Sequence, residues 1–429
     1  MYGSGEFGQL LRRLRVDADL SLTDLARSVH YSKGQLSKVE RGLKAPSRQL
    51  AALCDAALGT GGRLTALLTG APTQNTVETA KKEGEEEVWV MHLSGEGPDS
   101  FQPVGRRQVL TAGSASFMTL GADGPKALAD AEGQGVLEAS RSLFTHYRRL
   151  GQSVSPGPLL PVLIAQTHTL RKLAATVGPA TRSGLLALGS RYAEYVGWLV
   201  QETGNEEAAL WWTDRAVDLA TACGDRGLVG YALVRRALFT LYREDARQTV
   251  ALSLRGQDGA LPPRIRGLAS QREAQGHAMA GDHRATMHCL DRARALLARG
   301  DTSSDAPVIG SMHLPDPVGM ITGWCLLDLG RPREAAEALD HQLAQVPAHA
   351  LRTHVRYGVR RALAYAVAGE IDHACELTTG LLPGFATVRS ATIARDVSRL
   401  AHTLTRYPGN ASVRALAPQL GSFSQLTFP

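Results

Sequence analysis

Apolar residues recur every three or four positions over residues 5–70, and turn-forming residues interrupt them at short intervals. This spacing is typical of short helices that bury one face. The pattern predicts five helices, and Ser and Gly residues stand where helix caps belong. The predicted helices cover residues 7–17, 22–29, 33–41, 47–58 and 63–68. So many short helices in such a small segment indicate a very small helical bundle.

The third predicted helix has only two firmly apolar residues, Leu36 and Val39, which share one side of a helical wheel. Its opposite face has no carboxylate and carries Gly34, Ser37, Lys38 and Arg41. A solvated helix usually mixes both signs of charge, whereas a helix in the major groove of DNA avoids negative charge. Glycine inside a helix costs about 1 kcal/mol relative to alanine, and close approach to DNA would explain it.

This segment resembles a known DNA-binding family. Residues 10–68 are similar to the λ-repressor-like, XRE-type helix-turn-helix domain, with LSLTDLA at 20–26 like its second helix and SKGQLSKVERG at 32–42 like its third. The resemblance implies that the third helix lies in the major groove and reads base edges. One departure is Leu22, which stands where the family often has a DNA-contacting Gln.

The resemblance also implies roles for individual residues. The group expected to face base edges comprises Lys33, Gly34, Ser37 and Lys38, with Gln35 either touching DNA or lying at the groove edge. The group expected to face phosphates comprises Ser21, Arg41 and Lys44. Arg15 and Glu40 match an internal ion pair of the family between the first and third helices, so their implied role is structural.

Charged residues are distributed unevenly along the first 104 residues of the chain. Residues 1–70 carry ten Lys or Arg and six Asp or Glu, a net of +4, whereas residues 71–104 carry two and seven, a net of −5. A basic segment followed by an acidic one indicates a modular chain. We therefore predict a DNA-binding domain at 5–70 and an acidic linker at 71–120.

The linker contains one segment with strand character. VWVMHL at 88–93 alternates β-branched and aromatic residues, turn formers follow, and FQPV at 101–104 returns as a partner. This arrangement favours a small β-hairpin over residues 88–104.

Residues 121–429 repeat a pattern of two helices joined by a turn that contains glycine. An alanine follows that glycine five residues later in three copies and four residues later in a fourth. The pairs are Gly204 with Ala209, Gly330 with Ala335, Gly369 with Ala374, and Gly281 with Ala285. Glycine permits unusual turn conformations, and a hairpin that cannot bury its apolar face alone must stack on others. The pattern predicts an all-α solenoid that resembles tetratricopeptide repeats.

The segment from GWL at 197–199 to DLATACGDRGLVGYAL at 218–233 resembles actinobacterial regulators with an XRE head and a tetratricopeptide-like body. The resemblance implies that the body senses a peptide or small molecule, mediates dimerisation, or both. An aromatic cluster forms either a ligand pocket or a helix core, and its candidate ligand-binding residues are Tyr195, Trp198, Trp211 and Trp212. Two arginine-rich segments, 234–243 and 353–361, either hold an acidic ligand or are ordinary surface charge.

Composition and motifs narrow the functional class. The 429-residue chain is 44% hydrophobic and 21% charged, with a net charge of +6, which is typical of a globular protein of several domains. Its five cysteines include no C-x-x-C pair, which suits a reducing cytoplasm. The histidines are scattered, and no P-loop, nucleophile elbow or H-E-x-x-H occurs. We therefore expect no enzymatic activity, no cofactor and no metal, and no apolar run is long enough to span a membrane.

These observations predict a cytoplasmic, sequence-specific transcriptional regulator. It would bind a double-stranded DNA operator as a homodimer and respond to a peptide or small-molecule effector. One alternative is a scaffold that binds a partner protein, such as a sigma or anti-sigma factor, with DNA contact secondary. Another is a phage- or plasmid-type immunity regulator coupled to a peptide signal.

Overall fold

The computed structural model describes residues 4–18, 20–29, 31, 33–42, 44, 46, 48–58, 60, 63–64, 67, 88–92, 100–104, 130–299 and 307–424. The chain is built from helices, which confirms the predicted helical class, and one short pair of strands accompanies them in the described residues. It divides into two compact units, Met1–Glu85 and Glu86–Pro429. The boundary between them falls within the predicted acidic linker.

The N-terminal unit begins with four helices. They are α1 (Ser4–Asp17), α2 (Leu22–Ser28), α3 (Lys33–Glu40) and α4 (Arg48–Leu58). All four lie where the sequence predicted them, although α1 begins before the predicted Phe7. The fifth predicted helix includes residues outside those described, while Arg63, Leu64 and Leu67 are helical.

The apolar faces of these helices meet in one small core. Its buried residues are Phe7, Leu11, Leu25, Ala26, Val29, Leu36, Val39, Leu50, Ala51, Cys54 and Leu64. Close packing of α1 on the end of α3 requires Gly8, because a Cβ there would clash with the carbonyl oxygen of Val39. Gly42 ends α3 with a φ of 71°, a conformation that favours glycine after a helix. These contacts determine which side of α3 is buried and which is exposed.

Two short strands lie in the connector. β1 (Val88–His92) and β2 (Ser100–Val104) pair antiparallel, with Val88 opposite Val104. They occupy the segment in which residue alternation predicted a hairpin. Residues 93–99, which join the strands, lie outside the described residues, so the hairpin as a whole stays a prediction.

The described part of the C-terminal unit contains fourteen further helices. They are α5 (Asp130–Leu150), α6 (Leu160–Leu173), α7 (Pro179–Glu202), α8 (Glu206–Ala222), α9 (Arg226–Tyr242), α10 (Ala246–Arg255), α11 (Pro263–Met279), α12 (His283–Leu297), α13 (Pro317–Asp328), α14 (Pro332–Leu343), α15 (Leu351–Ala368), α16 (Ile371–Val388), α17 (Ala391–Leu404) and α18 (Ala411–Ser424). None of the helices in the described ranges is both long and apolar enough to cross a membrane.

Most helices of this unit pack on their neighbours in sequence. Alternate helices also touch, as in the pairs α9 with α11, α11 with α13 and α15 with α17. Helix hairpins that stack in chain order make contacts of this kind. Their assignment to tetratricopeptide-like repeats stays a prediction.

The turns between paired helices use backbone conformations that suit glycine. The four turn glycines identified from the sequence all have a positive φ, and they are Gly204, Gly281, Gly330 and Gly369. In the segment without a turn glycine, Glu244 takes this conformation, with a φ of 60°. The next residue, Asp245, then caps α10 by accepting a hydrogen bond from the Gln248 N–H at 2.9 Å. Asn205 and Asp282 cap α8 and α12 in the same way, so each of these turns also starts the following helix.

Candidate nucleic-acid interface and arginine-lined cavity

Helix α3 exposes the face that the sequence assigned to DNA. Leu36 and Val39 are buried in the core of the unit. On the outer side Lys33, Gly34 and Lys38 are exposed, and Ser37 is half-buried. The side chain of Gln35 lies outside the described residues. Most of the residues expected to face base edges therefore share one accessible surface, called here the α3 face: Lys33, Gly34, Ser37 and Lys38.

Among the described residues, no packing contact requires a glycine at position 34. A Cβ built at this position would have no heavy atom within 4 Å. The helix nevertheless carries the cost of a glycine, about 1 kcal/mol relative to alanine. A missing side chain on an exposed helical face allows another molecule to approach the backbone closely, and DNA in a groove-binding mode does so.

Arg15 and Glu40 tie α1 to α3. Nε of Arg15 donates to Oε1 of Glu40 at 2.7 Å and Nη2 donates to Oε2 at 3.1 Å, while Nη1 donates to the Leu20 carbonyl oxygen at 2.9 Å. The hydrogen bond to Glu40 raises the pKa of Arg15 by more than burial lowers it. Glu40 is the only carboxylate of α3, and it is engaged by Arg15. The α3 face therefore presents positive charge alone.

The residues expected to face phosphates flank this surface. Arg41 and Lys44 are exposed just after α3, and Nε of Arg41 donates to the Ser37 carbonyl oxygen at 3.2 Å. Ser21 stands at the start of α2, where its Oγ accepts from the Asp24 N–H at 3.2 Å and its hydroxyl donates to the Asp24 carboxylate. Ser21 is exposed at this helix N-terminus, a location at which backbone N–H groups favour anions.

Comparison with known proteins identifies this part of the chain. Residues 6–68 match a family described as a helix-turn-helix domain. The match spans every residue assigned above to DNA contact or to the internal ion pair. No curated protein and no solved structure matches the chain. The helix-turn-helix domain indicates a DNA-binding regulator.

The C-terminal unit contains a cavity of about 180 Å³. Its walls come from α5, α7, α9, α11, α13 and α15, together with residues 310–314. The segment that follows α5 closes one side by docking on the start of α15. There the backbone N–H of Arg352 donates to the Gln152 carbonyl oxygen at 2.8 Å, and Nε of Arg352 donates to the Gly151 carbonyl oxygen, 201 residues away in sequence, at 2.8 Å.

Glu202, fully buried at the end of α7, holds two of the cavity's arginines. Its carboxylate oxygens lie 3.3 Å from Nη1 of Arg352 and 3.6 Å from Nη1 of Arg356, and the hydroxyls of Ser390 and Thr392 donate to it. Burial alone would raise the pKa of Glu202, but the two guanidinium groups and the hydroxyls outweigh burial and hold its pKa below the ordinary value. Glu202 is therefore an ionised centre of a buried polar network.

The cavity has more positive than negative charge. The arginines that line it are Arg148, Arg235, Arg272, Arg352 and Arg356. Among the described residues around it, Glu194 pairs with Arg235 at 3.5 Å and Glu202 holds Arg352 and Arg356, while the nearby Asp396 pairs with Arg360 at 2.8 Å. Five guanidinium groups thus meet two carboxylates, Glu194 and Glu202, which leaves three positive charges without a counter-charge.

The aromatic residues proposed as ligand-binding divide into two pairs. Tyr195 and Trp198 line the cavity, and their rings stack with centroids 5.5 Å apart. Trp211 and Trp212 do not line it. They belong to α8 and contact each other edge to face at 5.1 Å, and Trp212 is buried where α8 crosses Gly197 of α7.

Three potential metal ligands, Glu273, His277 and Cys289, lie within 4.8 Å of one another. The guanidinium of Arg292 donates to Glu273 and lies 3.2 Å from Sγ of Cys289. Burial raises the pKa of the Cys289 thiol to about 12, so it is protonated at neutral pH. A cationic group already sits on these atoms, and the cluster does not suit a second cation.

Sequence reasoning found part of this cavity. The two arginine-rich segments contain Arg235 and Arg356, and the aromatic cluster contains Tyr195 and Trp198. Arg148, Arg272, Arg352 and Glu202 were missed, because they stand on separate helices and outside the two arginine-rich segments. Their only common signal is their position on alternate helices of the repeated pattern.

Proposed function

We propose that this protein is a sequence-specific transcriptional regulator of the XRE type, acting in the cytoplasm on a double-stranded DNA operator. The observation that carries the proposal is the carboxylate-free α3 face within a helix-turn-helix domain. In this arrangement Lys33 and Lys38 contact bases or phosphates in the major groove, while Arg41 and Lys44 contact phosphates beside it. Ser21 faces a phosphate from the N-terminus of α2.

We propose further that the C-terminal helices form a tetratricopeptide-like array of the actinobacterial type, which dimerises and senses a peptide or small molecule. Dimerisation would place two α3 helices about 34 Å apart, on successive major-groove faces of an inverted repeat. An effector that binds one arrangement of the heads better than another would change operator affinity, and DNA would change effector affinity by the same factor. The recurring glycine turns and the charged cavity support this part of the proposal.

Promoter binding across a salt series tests the DNA-binding role. Fluorescence anisotropy with the protein's own promoter region should show specific binding whose affinity falls as salt rises. The Lys33→Ala and Lys38→Ala double variant should bind about 10-fold or more weakly and lose about 1–2 units of salt slope. Lys172→Ala with Arg284→Ala removes the same charge from exposed positions of the C-terminal unit and should bind like the wild type.

Two outcomes would overturn the proposal in different ways. If the Lys33 and Lys38 double variant keeps specific binding and its salt slope, α3 is not the reading surface. If the wild type binds its promoter no better than unrelated DNA, the partner-binding scaffold becomes the better description. Sedimentation equilibrium of the full-length protein, with and without an inverted-repeat duplex, measures the proposed dimer directly.

A further inference from the structure

The cavity's arginines differ in how far the protein neutralises them. Arg352 and Arg356 are held by Glu202, and Arg235 is held by Glu194. Arg272 and Arg148 form no ion pair with a carboxylate among the described residues. Their hydrogen bonds go to neutral oxygens only.

Arg272 is the cavity arginine with the fewest protein partners among the described residues. Its guanidinium donates to the side-chain oxygen of Gln275, and that is its single hydrogen bond within the described residues. Burial lowers the pKa of Arg272, and the positive charge of Arg356 lowers it further. A guanidinium carries five N–H donors and remains charged in proteins. Most of the donors of Arg272 are therefore available to a molecule in the cavity.

Arg148 reaches the cavity from α5. Its guanidinium donates to the carbonyl oxygens of Val308 and Gly310. Burial lowers the pKa of Arg148, and Glu194 offsets this only in part. Burying a charged group without a counter-charge is unfavourable. An anion that enters the cavity would supply a counter-charge to both Arg148 and Arg272. Sites with such unneutralised, desolvated charge are frequently ligand sites.

Tyr231 stands among these cations. It lines the cavity from α9, and Arg235, Arg272 and Arg148 are all close enough to lower its pKa. Burial and the negative charge of Glu194 nevertheless raise the pKa of Tyr231 to about 12, so the phenol keeps its proton at neutral pH. Its hydroxyl has no hydrogen-bond partner among the described residues. A protonated phenol beside guanidinium groups is a donor for an oxyanion.

The remaining walls and the volume limit the size of the occupant. Four aromatic residues, Tyr195, Trp198, Trp324 and Tyr357, contribute to the walls of the cavity. Its volume of about 180 Å³ is slightly above the roughly 150 Å³ of an engineered cavity that holds benzene. Pockets for drug-sized molecules are larger, at about 300–1,000 Å³. One ring with one charged group therefore matches both the walls and the volume.

We propose that this cavity binds a single-ring organic anion, with its carboxylate or phosphate against Arg272 and Tyr231 and its ring against the aromatic walls. Arg148 adds to the positive field at the oxyanion. The inference rests on the proposed function, since it gives the chemical class of the effector that the C-terminal unit senses. The guanidinium fork suits both a carboxylate and a phosphate, so the choice between them is left to measurement.

Isothermal titration of the full-length protein tests the proposal with four probes: benzoate, phenyl phosphate, benzyl alcohol and inorganic phosphate. Either benzoate or phenyl phosphate should bind saturably, and the tighter of the two identifies the oxyanion. Benzyl alcohol lacks the charge and inorganic phosphate lacks the ring, so both should bind at least about 10-fold more weakly. The proposal is overturned if neither ring anion saturates below about 10 mM, or if either incomplete probe binds equally well.

Variants assign the binding to this cavity. Arg272→Gln should weaken binding of the ring anion about 10- to 100-fold, and Tyr231→Phe about 5-fold. Arg284→Gln, at an exposed position of α12, should leave it unchanged. Equal losses in Arg272→Gln and Arg284→Gln would mean non-specific electrostatics and would overturn the assignment.

Thermal unfolding without ligand separates a binding role from a structural one. Arg272→Gln removes an unneutralised buried charge, so its unfolding midpoint should stay the same or rise. If the midpoint of Arg272→Gln falls instead, the anion affinity of Tyr231→Phe distinguishes binding from structure. This variant removes one hydroxyl that has no hydrogen-bond partner among the described residues, and it keeps the ring. Anion binding is measured without DNA and promoter binding without anion. Promoter binding that persists while anion binding fails would therefore reject this inference alone.

Discussion

The two units of this protein hold their positive charge in opposite ways. On the α3 face and the turn after it, Lys33, Lys38, Arg41 and Lys44 point into water and form no ion pair among the described residues. In the C-terminal unit, five arginines from four helices (α5, α9, α11 and α15) line a cavity to which aromatic residues also contribute. An exposed charge stays hydrated, so it has little desolvation cost, and it can bind a large polyanion such as DNA. Buried charge is unfavourable unless compensated, so it needs either an internal carboxylate or a small anionic ligand.

The comparison predicts that the buried charges carry the largest stability effects. Glu202→Ala would leave Arg352 and Arg356 facing each other without their carboxylate, at a cost of about 3–5 kcal/mol. Denaturant unfolding of the C-terminal unit, followed by tryptophan fluorescence, measures the change. Glu138→Ala, at an exposed position of α5, is the matched control and should stay within about 0.5 kcal/mol. Equal effects of the two substitutions would contradict the distinction between buried and exposed charge.

The same carboxylate predicts an acid-labile component of stability. Because the pKa of Glu202 is held below its ordinary value in the folded protein, its contribution is complete above the ordinary carboxyl pKa. The contribution is lost as pH falls through the folded pKa. Glu202→Gln should therefore flatten the loss of stability between about pH 5 and about pH 2. Unfolding midpoints over a pH series measure this, and parallel curves for wild type and variant would refute the assignment.

An intermediate effect on stability is expected for the partly buried ion pair between Arg15 and Glu40 in the N-terminal unit. Glu40→Gln removes the two-point ion pair with Arg15, which should destabilise this unit by about 1.5–3 kcal/mol. Urea unfolding of the full-length protein, with far-UV circular dichroism, resolves the transition of the N-terminal unit. Asp17→Asn changes an exposed carboxylate of the same unit and should have little effect. If the two variants behave alike, the Arg15 pair does not anchor α3.

The smallest stability effect is expected on the α3 face itself, and it should be opposite in sign to the effect on DNA binding. Gly34→Ala adds a methyl group in open space, so the unit should gain up to about 1 kcal/mol while operator affinity falls. Gly8→Ala is the matched glycine control, because its Cβ would meet the carbonyl oxygens of Val39 and Glu40 and should destabilise the unit. Thermal unfolding and promoter anisotropy on the same samples measure both quantities. Unchanged operator affinity in Gly34→Ala would show that the backbone of α3 does not approach DNA closely.

The α3 face could be predicted because all the information for it is local. Residues 33–40 form one helix, and helical periodicity alone assigns Leu36 and Val39 to the core and the lysines to the exterior. The ion-pair assignment of Arg15 and Glu40 came from family resemblance, and the structure places their side chains in contact. Gly8 was not identified as a packing residue, because its need for a hydrogen in place of a side chain depends on where the end of α3 crosses α1.

The helix turns of the C-terminal unit were also visible in the sequence wherever glycine marked them. Gly204, Gly281, Gly330 and Gly369 all adopt the positive φ that glycine permits. The turn at Glu244 escaped the pattern, because a residue other than glycine holds the same conformation there. Packing of α9 on α10 and the Asp245 cap stabilise this turn and have no equivalent signal in the residue itself.

The sequence by itself therefore determined the helices, the turns marked by glycine and the exposed basic face of α3, since each depends on residues close together in the chain. Only the tertiary structure decided which arginine side chains are buried away from water. Arg148, Arg272 and Glu202 lie far apart in the sequence, yet the fold brings them together around one cavity. The fold also places Arg352 in the wall of this cavity and leaves Trp211 and Trp212 outside it. The physical reason is that the cost of a buried charge depends on which distant helices surround it, and local sequence carries no record of those neighbours.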